Sequence, residues 1–313
     1  MLRFFLRRLL DLAITMVAVS VIIFLLLEFT PGDVARKILG PFATDAQVAI
    51  LTEEMGLNRP VYVRYFEWVG QLLTGDLGFS TTFKVPVNDI LWNRLGNTLA
   101  LGGLAFLLMV PLSTVLGVLA GMREGGKLDR SISVLSIATT SIPEFATGVF
   151  LATIFVNELG LLPGTSTLET AGGWPIWMQY ILPVTVILLY YVGYLVRMVR
   201  ASMIEVMTRP YIRTAVLKGL SFRDVIWQHA FRNAMITPVT VFLLQLNFLI
   251  TSLVVVELVF AYPGFGRVIL ESAGAKDWAV VEAGALVAVF VAVLTQMLGD
   301  LGYMFLNPKI RFQ

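Results

Sequence analysis

Residues 197–238, RMVRASMIEVMTRPYIRTAVLKGLSFRDVIWQHAFRNAMITP, follow one apolar segment (176–196) and lead into another (236–260). The stretch is polar and strongly basic: Arg197, Arg200, Arg209, Arg213, Lys218, Arg223 and Arg232 all fall within it. A connection that only turned the chain round would need a handful of residues. This one carries the signals of two short helices with a glycine hinge, the form of a docking device offered to a soluble partner. The apolar flanks on either side set the class of fold.

Of the 313 residues, 57% are hydrophobic and 14% charged, against about 25% charged in an ordinary soluble domain. Mean hydropathy is +0.82. Runs of about 20 apolar residues cross the hydrocarbon core as helices, because a helix satisfies every backbone group internally. Six such spans can be placed, at residues 9–29, 98–121, 131–156, 176–196, 236–260 and 279–306. The expected fold is an all-α polytopic membrane bundle, one transmembrane domain over residues 1–313. The first apolar run imitates a signal peptide, but it exceeds an h-region of about 7–15 residues and is followed by PGD rather than a small-residue cleavage site. It reads as an uncleaved span.

Orientation follows the Lys/Arg bias of the connections. With the N-terminus inside, the inner segments carry Arg3, Arg7 and Arg8, then Arg123, Lys127 and Arg130, then the seven cations above, then Lys309 and Arg311. The two short outer loops carry only Arg267 and Lys276. Both termini and the loop at 197–238 are therefore expected in the cytoplasm, and the long segment 30–97 outside. Within that segment Thr44-x-x-Gln47 is a capping box, Gly56 a helix-ending glycine, and Pro60 a helix opener. Two short outer helices are expected; the aromatics Tyr62, Tyr65, Phe66 and Trp68 of the second suit a membrane interface. They serve either as a lid on the bundle or as a landing surface for an external partner.

Zero Cys excludes disulfides, thiolate metal sites and cysteine nucleophiles, and the single histidine, His229, leaves no cluster for a metal or proton relay. No catalytic residue, metal site or cofactor is expected on this chain. Gly121–Lys127, GMREGGK, has the glycine and lysine spacing of a phosphate-binding loop. Leu128 stands where the Mg²⁺-binding hydroxyl should be, however, and the segment follows a membrane helix rather than a strand. It reads as a basic turn, so the chain is not expected to hydrolyse ATP.

Polar groups inside the spans mark either a pathway or an internal tie, because a carboxylate at membrane depth costs several kcal/mol unless paired or wet. In SIPEF (141–145) Pro143 is expected to kink the third span and Glu144 to lie near its middle, lining a translocation path or gate, or else paired structurally. In the fifth span Gln245, Asn247, Thr251 and Ser252 are groups a lipid-facing helix would avoid. Gln245 and Ser252 share a face, and Gln245, Asn247 and Ser252 join Pro143 and Glu144 as path candidates.

In the basic stretch Pro210 opens a helix that runs to about Lys218, Gly219 supplies its left-handed cap, and Ser221 with Asp224 opens a second. Phe222, Val225, Ile226 and His229 recur at i, i+3, i+4, i+7, a face suited to a groove in another protein. A basic amphipathic helix can also lie on anionic lipid; the capped helix–glycine–helix favours the groove.

RTAVLKGLSFRDVIWQHAFRNAMITPV resembles the cytoplasmic loop of the permease subunits of bacterial ABC importers, more narrowly the dipeptide/oligopeptide/nickel branch. The similarity covers nearly the whole chain: RRLL near the start, PGD at 31–33, GLNRP at 56–60, GDLGFS at 75–80, RLGNTL at 94–99, SIPEF, VVVELVFAYPGFG at 254–266, and the closing NPKIRF. Three departures stand out: Val216 where the branch usually has Arg, Pro210 in place of an acidic residue, and Gly96 in place of Pro.

The resemblance implies a type I importer permease in the bacterial inner membrane, a non-catalytic half of a path for a di- or oligopeptide, glutathione, a nickel chelate or another small solute. It implies a second, homologous permease as a heterodimer partner, two subunits that bind ATP and Mg²⁺, an external solute-binding protein and the bilayer. Nucleic acid is not among the implied partners. Arg213, Thr214, Ala215, Lys218, Gly219, Ser221, Phe222, Asp224 and Val225 would then couple to the ATPase. A self-sufficient transporter or channel would favour charge pairs within the spans or inverted repeats, and an intramembrane enzyme lacks candidate residues.

Overall fold

A computed structural model describes residues 2–29, 34–40, 42–54, 56–169 and 173–306. The PGD at 31–33 and the closing NPKIRF lie outside these. The chain forms two compact units. One takes the residues up to Leu95 together with Val268–Val293, and the other takes Gly96–Arg267 and the residues from Leu294 onward. Among the described residues the regular structure is helical, apart from an isolated bridge between Phe79 and Pro86.

In the first unit, α1 (Leu2–Glu28) is a long apolar helix, followed by α2 (Val34–Leu39), α3 (Asp45–Glu54) and α4 (Val61–Leu73). The capping box forms: the Thr44 amide donates to Gln47 Oε1 at 2.9 Å, and the Gln47 amide donates back to Thr44 Oγ1 at 3.4 Å. Pro60, at the N-cap, starts α4 as expected. This helix docks on α1. The Ser20 and Tyr65 hydroxyls are 2.9 Å apart, Phe24 meets the Tyr65 and Trp68 rings at centroid distances of 5.5 and 5.6 Å, and Arg64 pairs with Glu28. The loop after GDLGFS is held by Asp277, just ahead of α15 (Trp278–Leu306). Its carboxylate accepts from the Ser80 hydroxyl at 2.6 Å and the Thr82 amide at 2.9 Å, and Ser80 and Asp277 are fully buried.

The second unit is built round α9 (Ile181–Met207), which packs against α6 (Lys127–Ser141), α7 (Glu144–Ala152, prolonged by a π-helical turn Thr153–Glu158) and α13 (Ile236–Val259). In lipid, helices are drawn together by close packing rather than by expulsion of water, so small residues mark the contacts. A Cβ at Gly117 or Gly121 of α5 (Val87–Gly121) would sit 2.4 or 2.5 Å from the Cβ of Val199 or Met203. A Cβ at Gly193 would meet the Ser136 carbonyl at 2.5 Å. These glycines let α5 and α6 reach the backbone of α9. Short elements complete the chain: α8 (Ile176–Gln179), α10 (Pro210–Leu217), α11 (Phe222–Asp224) with a π-helical turn Val225–Ala230, α12 (Phe231–Ala234) and α14 (Phe265–Gly274).

Among the described residues four helices are long and apolar enough to cross a membrane, and up to six spans result if each of two bent pairs counts as one. The differences from expectation have local causes. The second span is the later part of a helix that already starts at Val87. The fourth helix runs on to Met207, so Arg197 and Arg200 lie on a helix rather than in a loop. In the third span the axes of Lys127–Ser141 and Glu144–Glu158 differ by 97°, a break and not a kink. Proline lacks the amide that would continue the ladder and forces the residue before it out of helical geometry. Ile142 is accordingly extended, at φ −95° and ψ 127°. Glu144 therefore stands in the first turn of a new helix, and near the middle of the span where the bent pair counts as one. The fifth span bends by 52° between Leu249 and Thr251.

Candidate functional site: the hinged element and the buried polar groups

The basic stretch folds as two helical pieces joined at Gly219. Arg209 is extended at the N-cap and Pro210 takes the first turn, where its missing amide costs nothing. At the far end Gly219 has φ +80°; its amide donates to the Val216 carbonyl at 3.0 Å and that of Leu220 to Ala215 at 3.4 Å. This is the left-handed closure that glycine favours. Ser221 then caps the next piece: its Oγ accepts from the Asp224 amide at 3.2 Å and donates to Asp224 Oδ2 at 2.6 Å.

Burial divides the element into an anchored and a presented side. Ile212, Ala215, Val225, Ile226 and Ala230 are buried in the core of the second unit, and the Ser202 hydroxyl donates to the Ala234 carbonyl at 2.6 Å. Arg213, Thr214, Lys218, Gly219, Ser221 and Phe222 are exposed, and Asp224 is half-buried. Ala215 and Val225 thus hold the element from behind. The face drawn through Phe222, Val225, Ile226 and His229 at 3.6-residue spacing does not persist, because Val225–Ala230 is a π-helical turn, whose larger number of residues per turn rotates the side chains out of that register. Sequence reasoning missed Leu217 and Leu220, exposed with Trp227 on the presented side. Their signal was present, since Leu217 and Leu220 fall off the Ile212–Ala215 stripe.

The turn that imitates a phosphate loop is occupied from within. The Gly125 amide donates to Asp129 Oδ2 at 2.8 Å, and Asp129 also accepts both Nε and Nη2 of Arg200, the latter at 2.8 Å. A carboxylate of the chain itself sits where an anion would, and the residue pair ties α6 to α9.

The path candidates are only partly brought together. Ser252 on α13 lies near the Glu144 carboxyl and the buried Tyr191 hydroxyl on α9, and its own Oγ donates to the Leu249 carbonyl at 3.2 Å. Glu144 Oε1 and Asn247 Oδ1 are buried without a hydrogen-bond partner among the described residues. Pro143 is exposed and Gln245 half-buried. The described residues hold no group of three or more His, Cys, Asp or Glu placed to bind a metal.

A second polar knot, unforeseen from the sequence, closes the end of α13. Glu257 is fully buried; it accepts from the Thr98 hydroxyl at 2.5 Å and the Arg267 amide at 2.9 Å. Thr98 Oγ1 in turn accepts the Phe265 amide at 2.7 Å, and the Tyr262 hydroxyl donates to the Asn97 carbonyl at 2.8 Å. Burial, with the Tyr180 hydroxyl 3.2 Å away, pushes the Tyr262 hydroxyl far above the usual phenol range, so it remains a donor. A Cβ at Gly264 would fall 2.0 Å from the Glu257 carboxyl carbon. RLGNTL and ELVFAYPGFG, distant in sequence, are thus one structure.

Residues 113–312 match the binding-protein-dependent transport system inner membrane component, and residues 1–102 the N-terminal component of the same systems. The chain belongs to this family. It is 35% identical to a probable peptide ABC transporter permease of Sinorhizobium fredii, covering 99% of each chain. It is 34% identical over the whole of both chains to the glutathione transport system permease GsiC of Shigella flexneri, and equally to that of Salmonella typhi. This permease is a multi-pass inner-membrane subunit of the peptide type of ABC importer, a non-catalytic component.

Proposed function

We propose that this permease forms one half of the translocation path of an ATP-driven importer for di- or oligopeptides, glutathione included. Its complex would hold a second, homologous permease, two cytoplasmic subunits that bind ATP and Mg²⁺, and an external solute-binding protein. Both termini and residues 197–238 lie in the cytoplasm, a reading supported by the Lys/Arg bias. The hinged element Pro210–Ala234 couples the ATPase to the spans. One observation carries this role: the element is clamped to the α9 core through Ile212, Ala215, Val225 and Ile226 while it presents Leu217, Leu220, Phe222 and Trp227 with Arg213 and Lys218. An element held so firmly on one side moves the bundle when a partner moves the other. Glu144 with Ser252, and Asn247 beside a bend, supply the polar groups of the path.

The names of the relatives support peptides as cargo. The test is uptake in proteoliposomes that hold this permease with the companion subunits and binding protein encoded beside it. Labelled dipeptides or glutathione should accumulate only with ATP inside and binding protein outside. Uptake of a nickel chelate and no peptide would overturn the substrate, and uptake without ATP would overturn the mechanism. Glu144→Gln should change uptake kinetics; kinetics identical to wild type would remove Glu144 from the path.

A further inference from the structure

Helix α4 carries a surface that the importer reading leaves unused. At about 100° per residue its side chains divide into three sectors. Tyr65 and Trp68 face α1, meeting Ser20 and Phe24. Glu67 and Gln71 form a polar sector, with Glu67 paired to Arg59 at 2.5 Å. Between them, within an arc of about 40°, stand Tyr62, Phe66 and Leu73, exposed by 67%, 67% and 84%. Large apolar side chains gathered in one stripe mark a contact rather than a face left to water.

The height of α4 in the membrane is set by α1. The apolar span of α1 runs over Leu6–Glu28, and α4 touches it at Ser20, Phe24 and Glu28. Those three positions cover the last eight residues of rise, about 12 Å at 1.5 Å per residue, from the end of the span down into the hydrocarbon. A helix seated there has the bilayer beside it whichever way the chain is oriented. Its composition fits the same depth, since aromatic rings collect at the headgroup level and amphipathic helices rest with one face among the acyl chains.

We propose that α4 lies in the membrane–water boundary, with Tyr62, Phe66 and Leu73 sunk between the glycerol groups and upper acyl chains of phospholipid. The leaflet is the one at the C-terminal end of α1. In this position α4 acts as an in-plane anchor that holds the segment 30–97 against the bilayer. The inference depends on α1 crossing the membrane and not on the cargo or the coupling role.

The chain has no Cys, so single cysteines can be placed without removing any. Tyr62→Cys, Phe66→Cys, Leu73→Cys, Glu67→Cys and Gln71→Cys would each be spin-labelled in the assembled importer in phospholipid nanodiscs. Collision with oxygen, which concentrates in lipid, is compared with collision with a water-soluble nickel chelate. Labels at 62, 66 and 73 should collide with oxygen and lose the nickel signal, while those at 67 and 71 show the reverse. Nickel access at 62, 66 and 73 equal to that at 67 and 71 would overturn the proposal. So would protection of the stripe from both reagents, which would mean that a protein covers it.

Discussion

Gly219 offers the sharpest perturbation of the hinged element, because its geometry separates backbone strain from crowding. A Cβ at this position would meet nothing within 4 Å, yet φ is +80°. An alanine therefore fits by volume and is opposed only by the left-handed backbone, at about 1–2 kcal/mol. Since each 1.4 kcal/mol is a factor of about ten, Gly219→Ala should lower the population of the seated hinge by roughly five- to thirtyfold relative to competing closures. Gly219→Asn should suffer least, because asparagine visits this region most readily after glycine, and Gly219→Val most, since a β-branched residue is an outlier there. The hinge is exposed and the core contacts of Ile212 and Val225 lie to either side, so the subunits should still assemble. The assay is peptide uptake and ATP hydrolysis measured together in proteoliposomes. Uptake per ATP should fall in the order Gly, Asn, Ala, Val with complex yield unchanged. A valine variant that transports like wild type would refute the hinge, and equal losses in Asn and Val would refute the backbone argument.

Three further outcomes follow from contacts elsewhere. Asp129→Ala breaks a buried ion pair, which ordinarily costs about 3–5 kcal/mol; because the Arg200 side chain is 28% exposed and can rehydrate, the loss should be nearer ~2 kcal/mol. Thermal unfolding in detergent, followed by tryptophan fluorescence, should show it, and adding Arg200→Met should cost less than the two single losses together; strict additivity would contradict the pairing. Gly264→Ala drives a methyl group into the Glu257 carboxyl and should cost at least the upper end of the ~1–3 kcal/mol typical of overpacking, read as loss of folded yield; normal yield would show that the knot is not rigid. Asp277→Ala releases the Ser80–Phe83 turn and should speed tryptic cleavage after the exposed Lys84, and unchanged cleavage would place the restraint elsewhere.

What the sequence made legible were the features written in local chemistry. Thr44–Gln47, Pro60, Pro210, Gly219 and Ser221–Asp224 act within a turn or two of themselves, and all of them form as their spacing implies. Apolar runs likewise located the spans. Features that depend on a distant residue stayed hidden. Glu257 reads as one more carboxylate near a span end until Thr98, from a helix far away in the chain, is seen to donate to it. Asp277 and Ser80 are separated by most of the sequence. Pro143 was visible as a disturbance, but whether a proline kinks or breaks a helix depends on packing of the following segment, here α7 against α9 and α13. The face through Val225 and Ile226 failed for a subtler reason: a π-helical turn changes the period on which helical spacing rests.

The coupling role of residues 210–234 is tested most directly by a photo-reactive phenylalanine analogue placed at Leu220 in the purified, assembled importer. Leu220 is exposed beside the hinge. Irradiation should join this permease to a nucleotide-binding subunit, with a yield that changes between ATP-bound and nucleotide-free states. Cross-links only to lipid or to the companion permease, in a complex that still hydrolyses ATP and transports, would contradict the account.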